Sequence, residues 1–336
     1  MERRLFGGGE RAVNMNYVQA VKEAMAEEMR RDASVFVMGE DVETMGGVFG
    51  CTKGLLAEFG HDRIRNTPIS EAAFVGAGLG AALTGMRPVV EVQYVDFILC
   101  AMDQVINQIA KYRYASGGAA TVPLTIRAQQ GSGRGNGVQH SQNLEALFCH
   151  IPGLKVVMPS TPHDAKGLLK TAIRDNNPVM FFEHKMLYQT RSDVPEGEYT
   201  IALGKADIKR PGTDVTLIAT SWMVLRALEA AEELAKQGIS AEVVDPRTLV
   251  PLDEDTLLQS VKKTGRAVVI HEAHAMCGIG AELAYILSDR AFSYLDAPVK
   301  RVTAFQTPIP YSQKLEKLTV PSAQRIVAAA REVLYL

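Results

Sequence analysis

The sequence predicts an α/β protein of two domains, each a mostly parallel sheet flanked by helices. Three observations predict it. At 336 residues the chain has the length of about two average domains. Short runs rich in Val, Ile and Phe alternate with longer segments of helical periodicity, as in successive β-α-β units. The alternation breaks once, where Pro195 and Pro211 fall in a stretch without sustained periodicity. The expected division is a first domain over 14–190, a linker over 191–213 with room for one short strand, and a second domain over 214–336.

The elements follow in order. Asn16 is a good cap for a helix over 17–31, with Val18, Val21, Met25 and Met29 on one face. A buried strand over 35–38 ends at Gly39-Glu40-Asp41, before a turn containing Gly46, Gly47 and Gly50. A helix of small residues spans 71–83, a strand 88–93 and a long helix 97–114. A strand over 123–127 leads into a polar, glycine-rich loop over 129–142. A strand (155–158), a helix (162–174) and a strand (179–183) complete the first domain. Past the linker, strands at 215–219, 241–244, 267–271 and 299–304 alternate with helices at 222–237, 253–264, 279–290 and 322–334. No fixed-period repeat is present.

Composition excludes several classes. Lys and Arg number 36 against 38 Asp and Glu, so the net charge is −2, which rules out a strongly basic nucleic-acid surface as the default. Hydrophobic residues make up 47%, too many for extended disorder. Cys51, Cys100, Cys149 and Cys277 are scattered, which argues against a zinc knuckle or disulfide framework and for a reducing, cytoplasmic setting. No run of 18 apolar residues suggests a membrane span. Residues 1–13, with Arg3, Arg4 and the Gly7–Gly9 run, lack the apolar core of a signal peptide, and Met15 offers an alternative start.

Candidate chemistry is sparse. Gly76-Ala77-Gly78-Leu79-Gly80 resembles part of a dinucleotide fingerprint, but it lies inside a helical pattern rather than between strand and helix. Each interior glycine costs a helix roughly 1 kcal/mol relative to Ala, so several together point to close packing, with Gly76 and Gly80 leaving a groove for another helix. No phosphate-binding GxxxxGKS/T loop occurs. His271-Glu272-Ala273-His274 lacks the spacing of a zinc protease and reads as polar residues at a strand end. His140 lies in the long glycine-rich loop after a strand, where α/β folds place functional groups; it is either a proton-exchanging residue or an ordinary loop histidine. Glu71 opens the small-residue helix after Thr67-Pro68-Ile69-Ser70. It is either a carboxylate favoured by the helix dipole or a partly buried acid that shares a proton with a ligand.

Together the motifs resemble one family. GEDV at 39–42, TPISE at 67–71, DQVINQIAK at 103–111, QHSQ at 139–142, PGLKVV at 152–157, DAKGLLKTAIRDNNPV at 164–179 and LDAP at 295–298 are similar, in order and spacing, to the β subunits of the thiamine-diphosphate-dependent first component of 2-oxo acid and acetoin dehydrogenase complexes. The likeness runs from about residue 16 to 336. It implies a transketolase-like pyrimidine-binding domain followed by a transketolase C-terminal domain. It implies that Glu71 hydrogen-bonds a ring nitrogen of the cofactor's aminopyrimidine, and that Ile69, Gln93 and Phe97 surround that ring. Glu40 matches an acid in a polar tunnel joining two cofactor sites. His140 matches the histidine that manages protons around the substrate and the lipoyl-lysine arm. Main-chain carbonyls of Leu124, Ala172, Asp175 and Asn177 match a structural potassium site. Asp296 and the carboxylate of Leu336 match the surface that docks the acyltransferase core.

The family's magnesium-binding GDG motif with its paired-Asn segment is missing, and Asn176-Asn177 belongs to the potassium segment. The resemblance therefore implies that a separate α subunit holds magnesium and the diphosphate in an α2β2 heterotetramer, with the small-residue helix at a subunit interface. The substrate stays open: Gln139 before His140 resembles pyruvate and acetoin types, Gln93 branched-chain types, and EHKMLY at 183–188 acetoin types. Other readings are a non-catalytic docking subunit, a free-standing transketolase-like enzyme and a nicotinamide-dependent dehydrogenase.

Overall fold

The computed structural model describes residues 4–6 and 10–336, with side chains from Arg11 onward. Residues 1–3 and 7–9, part of the stretch screened for a signal peptide, lie outside the described residues. The chain forms two compact units. One runs to Gln130 and resumes over Leu147–Leu203; the other takes Gly131–Ala146 and Gly204–Leu336. The boundary near residue 203 falls inside the expected linker. The excursion over Gly131–Ala146 has no counterpart in the sequence pattern.

In the first unit six parallel strands lie in the order Lys155–Val157, Val179–His184, Thr125–Gln130, Arg87–Val92, Val35–Gly39, Ile64–Asn66. The central strands are buried throughout, which is why they read as continuous apolar runs rather than alternating ones. The helix Tyr17–Arg31 starts from a reciprocal capping box between Asn16 and Gln19. The helix Pro162–Arg174 starts from Thr161, whose hydroxyl accepts the Asp164 N–H, with Pro162 in the first turn. These two helices pack together through charges as well as apolar residues. Lys170 Nζ, fully buried, sits 2.7 Å from both Glu27 and Glu198, and Arg174 pairs with Glu28 at 2.6 Å. A second, antiparallel sheet joins Arg4–Phe6, Glu10–Asn16 and Arg191–Pro195. So the stretch assigned to a linker contributes one strand here and another, Asp207–Arg210, to the second unit.

The second unit orders its strands Asp207–Arg210, Ala241–Asp245, Val215–Ala219, Ala267–His274, Lys300–Ala304. Only the first pairs antiparallel. Helices Met223–Ala235 and Ala323–Val333 cover one face, burying Val224, Ala227, Leu234, Ile326 and Ala330 against Leu217, Val243 and Ile270. Among the described residues no helix is long and apolar enough to cross a membrane.

One expectation needs correction. The single helix expected over 97–114 is three pieces: a 3-10 segment Val95–Ala101, a π-helical segment Asp103–Ile109 and an α-helical turn Ala110–Ala115. Helical periodicity is too coarse to distinguish these windings, and π segments often mark functional sites. In the helix Glu71–Leu83 the closest approach within the chain is at Gly78. A Cβ on Gly78 would stand 2.8 Å from Val90 Cγ2, whereas one on Gly80 would meet nothing within 4 Å. Gly78 thus fits the helix to its own sheet, while Ala72, Ala73, Ala77 and Gly80 are exposed.

His271, fully buried in the second unit, has neither ring nitrogen hydrogen-bonded among the described residues. A Cβ at Gly278 or Gly280 would touch its ring, so the two glycines make room for it. Burial, then the charges of Arg301 and His274, pulls its pKa down to about 4. The folded state therefore binds this proton less readily than the unfolded chain. The stabilisation is present above about pH 6.5 and is lost as pH falls towards 4, an effect on the order of 3 kcal/mol. Melting temperatures measured from pH 7 to 4 should fall more steeply for the wild type than for His271→Phe; parallel curves would disprove this.

Candidate active site

The carboxyl ends of the first unit's strands assemble the site. Gly39 ends its strand so close to the next that a Cβ would lie 2.6 Å from the Glu91 carbonyl; only glycine fits. Beyond it, the segments carrying GEDV and TPISE are stapled together. Thr67 N–H donates to Gly39 O (3.0 Å), Glu43 N–H donates to Asn66 Oδ1 (2.8 Å), and Asn66 N–H donates to Glu43 Oε1 (3.1 Å). This places Glu71 at the start of its helix, almost wholly buried, behind a Ser70 whose side chain makes no cap bond. Glu40 is half-buried. Burial, then the Glu71 carboxylate, then Asp41 hold its pKa above the usual carboxylate range, so the two acids are electrostatic neighbours. Gln93 Nε2 donates to the Glu40 carbonyl at 2.6 Å. Ile69 is 84% exposed, an apolar side chain offered to solvent beside these acids.

Aromatic rings continue the site. Tyr94 adopts a left-handed backbone (φ 62°), a strained conformation of the kind found at functional positions. Its N–H donates to Gln129 Oε1 at 3.3 Å. Its ring lies 6.4 Å from that of Phe97 and 5.7 Å from that of Phe49, and the buried Lys185 ammonium stands 5.1 Å from it. Tyr94, Phe49 and Lys185 escaped the sequence reading because the backbone break that gathers them leaves no periodic trace.

Behind the site, Arg127 is fully buried between two carboxylates. It donates to both oxygens of Glu183 (2.6 and 3.0 Å) and to Glu91 Oε2 (2.6 Å). Tyr188 Oη completes the cluster on Glu183 at 2.8 Å.

The carbonyls expected from the sequence to hold potassium lie at the opposite end of the sheet. Leu124 O accepts Val179 N–H (2.9 Å), Ala172 O accepts Asp175 N–H (3.2 Å) and Asp175 O accepts Arg87 Nη1 (3.1 Å). Each of these three carbonyls retains a second lone pair, and Arg87 brings one positive charge beside Asp175. The Asn177 backbone is held by Asp175 Oδ1, which accepts its N–H at 2.8 Å.

His140 belongs to the second unit, half-buried on the segment Gly131–Ala146. Glu272, read from sequence as a strand-end polar residue, is a structural acceptor: Ser132 N–H (2.7 Å), Ser132 Oγ (2.8 Å) and Asn143 Nδ2 (3.2 Å) all donate to its Oε1. On the same unit Tyr335 Oη donates to the Asp296 carbonyl at 3.1 Å, so Asp296 and Leu336 share one exposed surface. Arg266 pairs with the Asp296 carboxylate at 3.0 Å.

Acids and aromatic rings gathered at the carboxyl ends of a parallel sheet stand where open α/β folds bind their ligands. Residues 13–191 match the family described as "Transketolase, pyrimidine binding domain" and residues 204–326 "Transketolase, C-terminal domain". A solved structure described as "Split gene transketolase, inactive beta4 tetramer" shares the fold, with a TM-score of 0.78 at 24% identity over 95% of this chain and 97% of that one. Relatives narrow the class. The chain is 50% identical to the acetoin:2,6-dichlorophenolindophenol oxidoreductase subunit beta of Bacillus subtilis (strain 168), over 96% of this chain and 98% of that protein. It is 50% identical to the pyruvate dehydrogenase E1 component subunit beta and 46% identical to the 2-oxoisovalerate dehydrogenase subunit beta of the same organism, each over 95% of this chain and 98% of the relative. The chain belongs to the family of β subunits of the 2-oxo acid and acetoin dehydrogenases. Membership implies use of thiamine diphosphate and an α-subunit partner.

Proposed function

We propose that this chain is the catalytic β subunit of a thiamine-diphosphate-dependent dehydrogenase. With an α subunit it decarboxylates a small 2-oxo acid such as pyruvate, or cleaves acetoin, and passes the acyl group to the lipoyl domain of an acyltransferase. The observation that carries this reading is the neighbouring acid pair Glu40 and Glu71 beside the exposed Ile69 at one end of the parallel sheet. An acid, an apolar side chain and aromatic rings suit an aminopyrimidine, so the residues present fit that half of the cofactor. Thiamine diphosphate, when bound, supplies the electron sink for carbon–carbon cleavage.

The chain's own residues do the rest. Glu71 holds a proton at the pyrimidine ring nitrogen, and the near-complete burial of this residue strengthens that bond. Ile69 and Phe97 pack against the ring, and Gln93 fixes the Glu40 backbone. Glu40, whose raised pKa favours the protonated form, suits a polar tunnel between paired cofactor sites. His140 exchanges protons near the substrate and the lipoyl arm. Magnesium and the diphosphate belong mainly to the α subunit, in a cytoplasmic α2β2 assembly, with Asp296 and Leu336 facing the acyltransferase. The exposed small residues of the helix Glu71–Leu83 are open to a subunit contact.

Reconstitution with the α subunit tests the whole. Dye-coupled turnover on pyruvate, on branched-chain 2-oxo acids or on acetoin is expected, and none on any of the three overturns the reading. His140→Ala should slow acyl transfer to a lipoyl domain by about 10²-fold while leaving cofactor affinity unchanged; an unchanged transfer rate would remove His140 from the mechanism. For potassium at Leu124, Ala172, Asp175 and Asn177, an ion at a hundred times its Kd adds about 2.7 kcal/mol. The melting temperature should therefore be higher in KCl than in NaCl of equal ionic strength, and equal values would exclude the site.

A further inference from the structure

We propose that Glu316 is a positioning residue, through which the C-terminal unit sets the geometry of the loop that carries His140. The inference rests on the reading of His140 as a proton-transfer group. The loop is costly to order. Gly131, Gly133, Gly135 and Gly137 all have φ between +68° and +105°, conformations that alternate residues with side chains would resist and that glycine enters at high entropic cost. Within the loop, the Gly131 N–H donates to Gln142 O at 3.0 Å and the His140 N–H to Gly137 O at 3.4 Å.

The restraint comes from far along the chain. Glu316 is buried on the helix Gln313–Thr319, and its carboxylate straddles Arg134. Gly133 N–H donates to one oxygen at 2.7 Å and Gly135 N–H to the other at 2.9 Å. A carboxylate accepting two backbone N–H groups forms a pair of charge-assisted bonds, and both orientation and register are fixed when each oxygen takes a separate rung. The rest of the receptor is shaped to the backbone. A Cβ on Gly137 would lie 2.3 Å from the Tyr311 ring, and one on Gly135 3.2 Å from the Tyr311 carbonyl. The loop therefore lies flat on residues 311–316, and His140 follows three residues beyond the Tyr311 contact.

Glu272 grips the start and end of the same segment through Ser132 and Asn143. Glu316 holds the middle, where the glycines alternate. Loss of its two acceptors would free His140 to drift, and a misplacement of about 1 Å can cost about 10²-fold in rate.

The test uses the assembled α/β enzyme and two variants. Glu316→Ala removes both acceptors; Glu316→Gln keeps the volume and one acceptor oxygen but points an amide donor at the other N–H. Hydrogen–deuterium exchange over residues 131–142 is expected to be slow in the wild type, fastest in Glu316→Ala and intermediate in Glu316→Gln; unchanged exchange in both variants overturns the anchoring role. Turnover with a lipoyl domain as acceptor should fall about 10²-fold in Glu316→Ala, through kcat rather than KM, with partial recovery in Glu316→Gln. In a His140→Ala background the Glu316→Ala change should cost nothing further. Additive losses would show a role unconnected to His140 and overturn the proposal. If His140→Ala alone leaves turnover unchanged, the reading of His140 fails, and the exchange data show separately whether Glu316 orders the loop.

Discussion

Glu71→Gln in the assembled enzyme is expected to lower turnover by about 10²–10⁴-fold, the usual worth of a positioned general acid–base group. The amide keeps the size of the carboxyl but cannot share a proton with a ring nitrogen. The fold should survive. Glu71 is the first residue of its helix, behind a Ser70 that makes no cap bond, so the lost helix-dipole interaction is worth only about 0.3–1 kcal/mol. Circular dichroism and assembly with the α subunit should match the wild type, which separates a chemical defect from a structural one. The same substitution removes the charge that helps raise Glu40, so any Glu40-dependent limb of the pH–rate profile should move to lower pH. Near-normal turnover by Glu71→Gln on every substrate that the wild type accepts would exclude the assigned role.

Arg127→Met should produce the largest loss of stability, about 3–5 kcal/mol by urea unfolding. The side chain is completely enclosed and neutralises two carboxylates that no solvent reaches. Its removal leaves Glu91 and Glu183 facing each other without a counter-charge. Glu91→Gln should be much milder, because burial already pushes the Glu91 carboxyl above its ordinary value, and Arg127 makes only one bond to it against two to Glu183. Replacing all three residues by apolar or neutral ones of similar volume should recover much of the loss, since a buried ion cluster is costly to break but not to replace. Equal effects of Arg127→Met and Glu91→Gln would show that the cluster does not act as described. The network also bears on the site: a Cβ at Gly47, in the turn after GEDV, would meet Glu91 Oε1 at 2.7 Å.

The regular elements were legible because their signals are local. Helices Glu71–Leu83, Pro162–Arg174 and Ile279–Arg290 and the strand Val215–Ala219 have the bounds that periodicity and caps assign. The strand Glu10–Asn16 was missed because it pairs along its length with Arg191–Pro195, far along the chain. The short helix Gln313–Thr319 was missed as well, and nothing near it in sequence marks Glu316 as the partner of a loop 183 residues earlier. The PGLKVV motif shows the same gap. Gly153 lies so close to Ala110 that a Cβ would stand 1.9 Å from its carbonyl oxygen, a constraint invisible until the two segments meet.

By itself the sequence determined the α/β class, the two-part chain and the candidate acids and histidine, because apolar period, capping residues and motif order are written in neighbouring residues. Only the tertiary structure decided that Glu71 helps raise the pKa of Glu40, that Arg127 stands enclosed between two carboxylates, and that the His140 segment folds with the C-terminal unit. The physical reason is range. Backbone preferences act over a few residues, whereas burial, charge coupling and close glycine contacts depend on which distant segments the packed core brings together.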